Sequence, residues 1–148
     1  MQKWDKRFMD MAKLVSTWSS CARRQVGAVI VRDRRVITTG YNGAPERIAS
    51  CAERGYCLRN KNKIKSGTNA EVCFSNHAEQ NAIIQAAKLG HSIDGATLYC
   101  THLPCVVCCK MILSAGIVRV VYEEGYPDEL SKQIFEESGI LVQRYSDL

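Results

Sequence analysis

The sequence is short of most features that mark membrane, exported or disordered chains. Nowhere in its 148 residues does an apolar run approach the roughly 20 needed to cross a bilayer. The first ten residues are charged and amphipathic, so no secretory leader is read there. Three prolines and ten glycines are too few for a low-complexity or collagen-like chain. No internal repeat is present, which excludes a solenoid. Acidic residues are scarce early on: residues 1–65 hold 15 Lys and Arg against 5 Asp and Glu, whereas residues 66–148 hold 5 against 10. That split, within a net charge of +5, favours an anionic partner such as a nucleotide phosphate or a nucleic acid. For any single charge, a solvated face or a subunit contact is the plainer reading. The tract Arg54, Arg59, Lys61, Lys63, Lys65 has no interleaved aromatic except Tyr56 and argues little for nucleic acid.

What is present suits one domain over residues 1–148, with 46% hydrophobic and 24% charged residues. Eight cysteines are the anomaly. Without an export signal they read as reduced thiols, some of them metal ligands, in a cytoplasmic protein.

Residues 2–17 read as a helix, with Trp4, Phe8, Met11, Val15 and Trp18 on one apolar, core-facing stripe. Residues 26–31 and 36–39 read as strands joined at Asp33-Arg34, followed by a turn at Gly40-Tyr41-Asn42-Gly43. Residues 44–76 are irregular, and a free loop that long is improbable unless something ties it down. Beyond it, helices at 78–89, 106–115 and 128–138 alternate with strands at 96–101, 118–122 and 140–145. The alternation implies an α/β sandwich with a partly parallel sheet.

Two motifs carry chemistry. His77-Ala78-Glu79 opens one helix and Pro104-Cys105-Val106-Val107-Cys108 the next, matching the H-x-E…P-C-x-x-C signature of zinc deaminases. Cys105 and Cys108, three apart, share a helix face. Free N–H groups and the positive helix end favour thiolates there. With His77 they make three ligands, which leaves a tetrahedral zinc one open position, the mark of a catalytic site. Water there loses a proton near neutral pH. Glu79, two residues past His77, is then a base rather than a ligand. Cys-x-x-Cys alone would also suit a redox pair or half of a structural zinc site.

On these motifs the chain resembles the cytidine and deoxycytidylate deaminase superfamily, and most of all its dCMP deaminase branch. The likeness runs from about Trp4 to Tyr145. It is carried by Cys21-Ala22-Arg23-Arg24-Gln25-Val26-Gly27-Ala28-Val29, Gly40-Tyr41-Asn42-Gly43, His77-Ala78-Glu79-Gln80-Asn81-Ala82, Thr101-His102-Leu103-Pro104-Cys105-Val106-Val107-Cys108 and Val121-Tyr122-Glu123-Glu124-Gly125-Tyr126. The resemblance implies a three-layer α/β/α sandwich around a mixed five-stranded sheet, and conversion of dCMP and water to dUMP and ammonia. It implies that the Ala78 N–H holds the base carbonyl, Asn42 the 3′-hydroxyl, and Arg23 and Tyr126 the 5′-phosphate. It further implies a homohexamer, activated by dCTP and inhibited by dTTP. The effector triphosphate and Mg²⁺ would lie near Tyr41, Asn42 and Gly43, and Lys88 is a further candidate.

Four thiols remain, Cys21, Cys51, Cys57 and Cys73. A structural four-cysteine zinc would explain how residues 44–76 stay ordered. The resemblance implies such a second zinc in this insertion, with Cys21 and Cys51 at its usual positions and Cys57 and Cys73 as departures. Cys100 reads as core, Cys109 as pointing away from the metal, His91 as surface, and His102 as a pocket wall or a satisfied loop histidine. Competing readings are a tRNA adenosine deaminase, a deaminase of dCTP or free cytidine, and a zinc-stabilised nucleic-acid-binding module. Against the tRNA enzyme, the 33 residues from Ala44 to Asn76 are long.

Overall fold

A computed structural model describes residues 2–148. Helix α1 spans Lys3–Ser16. A hairpin follows, β1 at Gly27–Arg32 and β2 at Arg35–Tyr41. Its two-residue turn takes Asp33 and Arg34 to φ 52° and 60°, the left-handed pair that matches strand twist. Gly40 and Tyr41, expected in a turn, instead finish β2.

Residues 44–76 leave the sheet and return to it. Gly43 and Asn76 exchange backbone hydrogen bonds of 3.2 and 2.9 Å, so the excursion closes at its neck. Inside it lie two short helices, α2 at Cys51–Arg54 and α3 at Leu58–Lys61. The chain then runs through α4 (Ala78–Leu89), β3 (Thr97–His102), α5 (Val106–Ser114), β4 (Arg119–Glu124), α6 (Glu129–Ser138) and β5 (Leu141–Arg144). The expected helix stops hold. Gly90 and Gly139 adopt φ near 70° at the ends of α4 and α6, and the Gly90 N–H donates to carbonyls of the last turn of α4. Asp128 caps α6 by accepting from the Ser131 N–H at 2.7 Å.

The five strands form one mixed sheet in the order β2-β1-β3-β4-β5. β1 pairs antiparallel with β2 and β3, whereas β3–β4 and β4–β5 are parallel, each reached through a helix. Both faces are covered, so successive strand residues enter different cores. Ala28, Ile30, Leu98, Cys100 and Val120 face α4 and α5. Val29, Val31, Tyr99 and Val121 face α1. This is the three-layer α/β arrangement expected.

Helix α1 is rotated from the predicted stripe. Its buried residues are Asp5, Phe8, Met9, Ala12 and Val15. Trp18 lies beyond the helix, 56% exposed and edge-on to Tyr41. Trp4 sits between the guanidiniums of Arg7 and Arg34. Among the described residues no helix is long and apolar enough to cross a membrane.

Candidate active site

The two motifs meet because β2 and β3 run in the same direction, so the helices that follow them begin at the same end of the sheet. His77 is the N-cap of α4, with its own N–H held by the Gln80 side chain at 2.7 Å. Cys105 is the N-cap of α5 and Cys108 lies in its first turn. The His77 Nδ1 is 3.3 Å from the Cys108 sulfur and 3.5 Å from that of Cys105. The three donor atoms lie within 4.8 Å of one another, and no other group of three His, Cys, Asp or Glu side chains does so among the described residues. One nitrogen and two sulfurs, each giving one atom, are the donor set of a tetrahedral zinc with a corner to spare, so these residues fit the metal.

The two thiols and the imidazole are electrostatically coupled. A hydrogen bond from the Cys108 thiol, helped by His77, holds Cys105 down to about 4 despite burial. Cys108, which keeps the shared proton, is pushed up. The Cys105 sulfur in turn raises His77. Glu79 is 4% exposed, and burial pushes its carboxyl up, against the thiols of Cys100 and Cys108 and the charge of His77. Cys100 is core, as expected, but its thiol also donates to the Glu79 Oε1 at 3.2 Å. Only the register of β3 beside α4 reveals this contact. Cys109 faces away, its thiol 3.5 Å from the Pro104 carbonyl and raised to about 12 by burial. His91 is exposed.

A cavity of about 270 Å³ opens over Glu79 and His77. Arg23 lines it. Its Nε donates to Asn60 Oδ1 at 2.6 Å and its Nη2 to the Ile64 carbonyl at 2.5 Å, while its buried Nη1 has no partner. Asn42 also lines the cavity, with its amide anchored to the Val26 N–H at 2.9 Å and the Arg24 carbonyl at 2.8 Å. Ala78 starts α4, so its N–H has no partner within the helix. His102 is both a wall and a bonded loop histidine. It pairs with Thr101 at 2.9 Å and Glu124 at 3.2 Å, and burial lowers it.

Other expected contacts lie elsewhere. Tyr126 is 81% exposed, lies under the Arg144 guanidinium and is not among the residues lining the cavity. Tyr41 packs on Trp18, and Gly43 is spent on the bridge to Asn76. Asn81 fastens this segment to α4 by donating to the Tyr41 carbonyl at 2.8 Å. Lys88 pairs with Glu46 on the surface, about 16 Å along α4 from His77. Cys21 and Cys73 line the cavity, whereas Cys51 and Cys57 line a second opening behind it. Cys51 feels the other three sulfurs and is raised mainly by burial, but these four do not form a ligand cluster as tight as that at His77.

Residues 2–124 match the family described as the cytidine and deoxycytidylate deaminase zinc-binding region. ComE operon protein 2 of Bacillus subtilis is 40% identical over 142 residues, 95% of this chain and 70% of that protein. Deoxycytidylate deaminase of Saccharomyces cerevisiae is 40% identical over 146 residues, 97% of this chain but 45% of the yeast protein, so the chain spans less than half of that relative. The crystal structure of dCMP deaminase from cyanophage S-TIM5, in complex with dCMP and dUMP, superposes with a TM-score of 0.75 at 34% identity and covers 97% of this chain and 98% of that one. The paired helix starts, the buried glutamate and the matched segment agree: the chain belongs to the cytidine and deoxycytidylate deaminase zinc-binding family.

Proposed function

We propose that this chain is a zinc-dependent hydrolase that converts dCMP and water to dUMP and ammonia. The observation that carries the reading is the His77–Cys105–Cys108 triad beside buried Glu79, in a cavity that also holds a guanidinium with a spare N–H. His77, Cys105 and Cys108 would hold the zinc, which would supply a Lewis acid that makes water acidic near neutral pH. Glu79 takes a proton from that water and delivers it to ring N3 as the oxygen adds to C4. Glu79 then carries the water's second proton to the departing amine, which leaves as ammonia. Burial that raises the carboxyl suits a group that holds a proton between these steps. The Ala78 N–H holds the base carbonyl, and Asn42, rigid on two backbone anchors, meets the sugar hydroxyl. Arg23 grips the 5′-phosphate through its unpartnered Nη1.

Within the same reading, Cys21, Cys51, Cys57 and Cys73 hold a second, structural zinc that orders the insertion at 44–76. The mutual proximity of their sulfurs at Cys51 supports this. Apolar side chains left exposed on α1 and α4, such as Leu14, Ile84 and Leu89, suit a homo-oligomer, and the hexamer of the resemblance is the proposed form. Control by dCTP and dTTP with Mg²⁺ at the Tyr41–Gly43 segment belongs to the proposal through that resemblance. Free thiols suit a cytoplasmic setting.

The test is ammonia release over dCMP, dCTP, cytidine and tRNA, with zinc counted per chain. dCMP should be preferred. Glu79→Ala should keep its catalytic zinc and lose about 10²–10⁴-fold in rate. Two zincs per chain are expected, falling to one in Cys51→Ser. An unchanged rate in Glu79→Ala, or inosine formation in tRNA without dUMP, would overturn the catalytic reading. One zinc in the parent would remove the four-cysteine site.

A further inference from the structure

Building on that reading, we propose that Arg59 is the positioning residue that shapes the substrate cavity, by clamping residues 65–72 into a wall. Arg59 sits on α3 and lines the cavity, yet its terminal N–H groups are spent on the protein itself. Nη1 donates to the Asn69 carbonyl at 2.7 Å and the Val72 carbonyl at 3.3 Å. Nη2 donates to the Thr68 carbonyl at 2.6 Å and the Lys65 carbonyl at 3.2 Å. Ser66, Gly67 and Ala70, which line the cavity, lie between these anchor points, and Thr68, also in the lining, is one of them.

The clamp is needed because this stretch is neither helix nor strand. Its backbone passes through left-handed conformations at Gly67 (φ 80°) and Asn69 (φ 44°). Its internal backbone bonds are two short turns, Thr68 to Lys65 and Val72 to Asn69. Four carbonyls therefore turn toward one guanidinium, whose planar fork can donate in several directions at once. A lysine would offer three donors from a single point.

The wall matters to binding through Arg23. That side chain leans on Asn60, which sits on α3 beside Arg59, and on the carbonyl of Ile64, the residue just before the clamped stretch. Loosening residues 65–72 leaves Ile64 held only through its N–H to the Arg59 carbonyl, so the Ile64 carbonyl can shift and spoil the aim of the spare Nη1. His77, Glu79, Cys105 and Cys108 are set by α4 and α5 and keep their geometry. Loss of Arg59 should thus weaken substrate binding and spare the chemical step.

The experiment compares the zinc-loaded parent with Arg59→Met and Arg59→Lys. In Arg59→Met the KM for dCMP should rise about tenfold with kcat within about twofold, the signature of lost uniform binding. Arg59→Lys should recover part of the loss. Trypsin should cut after Lys63 and Lys65 faster in Arg59→Met, and dUMP should slow that cleavage in the parent. An unchanged KM, or a fall in kcat with KM intact, overturns the proposal. Should Arg59→Met fail to fold, the same criteria apply to Arg59→Lys. Should the parent release no ammonia from dCMP, the functional reading fails by itself. Cleavage rates then decide the clamp, and equal rates in parent and variant reject it.

Discussion

Arg23 and Arg59 are the same residue type in one cavity, and their hydrogen bonds give them different work. Arg59 has spent its terminal donors on four carbonyls, whereas Arg23 keeps one buried N–H unpaired. An unpaired buried donor is costly unless a ligand satisfies it. Replacing it should therefore be felt mainly with a phosphorylated substrate. Arg23→Met should raise the KM for dCMP about ten- to a hundredfold, in line with about 1.5–3 kcal/mol for a hydrogen bond to a charged group. The KM for deoxycytidine should barely move. Steady-state kinetics on the two substrates checks this, and equal effects on both would deny Arg23 the phosphate. Neither role is visible in a list of charges, because the acceptors are mostly backbone carbonyls that carry no sequence signal. The metal residues were legible for the opposite reason: histidine, glutamate and paired cysteines at helix starts are rare enough to name their chemistry.

At the scale of elements, the site depends on how closely α4 lies on β2. Gly40 makes that approach possible: a Cβ there would overlap the Ala78 carbonyl and the Ala82 backbone nitrogen. Thr38 adds a hydrogen bond from its hydroxyl to the Ala82 carbonyl at 3.0 Å. Gly40→Ala would force the first turn of α4 outward, and that turn carries His77 and Glu79. We expect a loss of about 1–3 kcal/mol in stability, typical of overpacking, together with lower zinc retention. Urea midpoints and zinc counts after dialysis measure both, and a variant matching the parent in each would refute the argument. The α1 stripe shows where periodicity misled. Trp4 and Trp18 read as core by hydrophobicity, but close packing of α1 on Gly27 puts small Ala12 inward, where a Cβ on Gly27 would overlap the Ala12 carbonyl. Trp4 is left half-buried at the core's margin, stacked on Phe8, and Trp18 lies outside.

At the scale of the whole molecule, one buried network ties together elements far apart in the chain. Asp5 on α1 accepts from Tyr99 Oη at 2.6 Å and from Arg119 at 2.9 and 3.2 Å, and Arg119 also donates to Gln143 on β5. Asp5 is 2% exposed. Burial works to raise its carboxyl, but bonds from Arg119 and Tyr99 and the charge of Arg119 outweigh it and hold Asp5 below its ordinary value of 3.8. The stabilisation is therefore complete at neutral pH. It begins to fade near 3.8 and is lost as pH falls through the lower folded value. Asp5→Asn should destabilise by about 1.5–3 kcal/mol at pH 7, since half-buried Arg119 loses its charged acceptor. Its stability should fall less steeply in acid than that of the parent. Urea unfolding of both proteins from about pH 7 to pH 3 tests the slope, and parallel curves would rule the network out as an acid-sensitive support.

From the sequence alone came the candidate metal ligands, the glutamate proposed to carry protons, the five strands and the helix stops, because each rests on local chemistry or local periodicity. His77 and the Cys105–Cys108 pair are 28 residues apart, yet each marks a helix start by itself. Only the tertiary structure decided that the two starts converge, that Cys100 touches Glu79, that Tyr126 stands outside the cavity, and that two arginines organise the insertion. Those outcomes depend on sheet order and on backbone acceptors distant in the chain. Hydrogen bonding to a carbonyl is indifferent to which side chain that residue bears, so packing, and not residue identity, selects the partner.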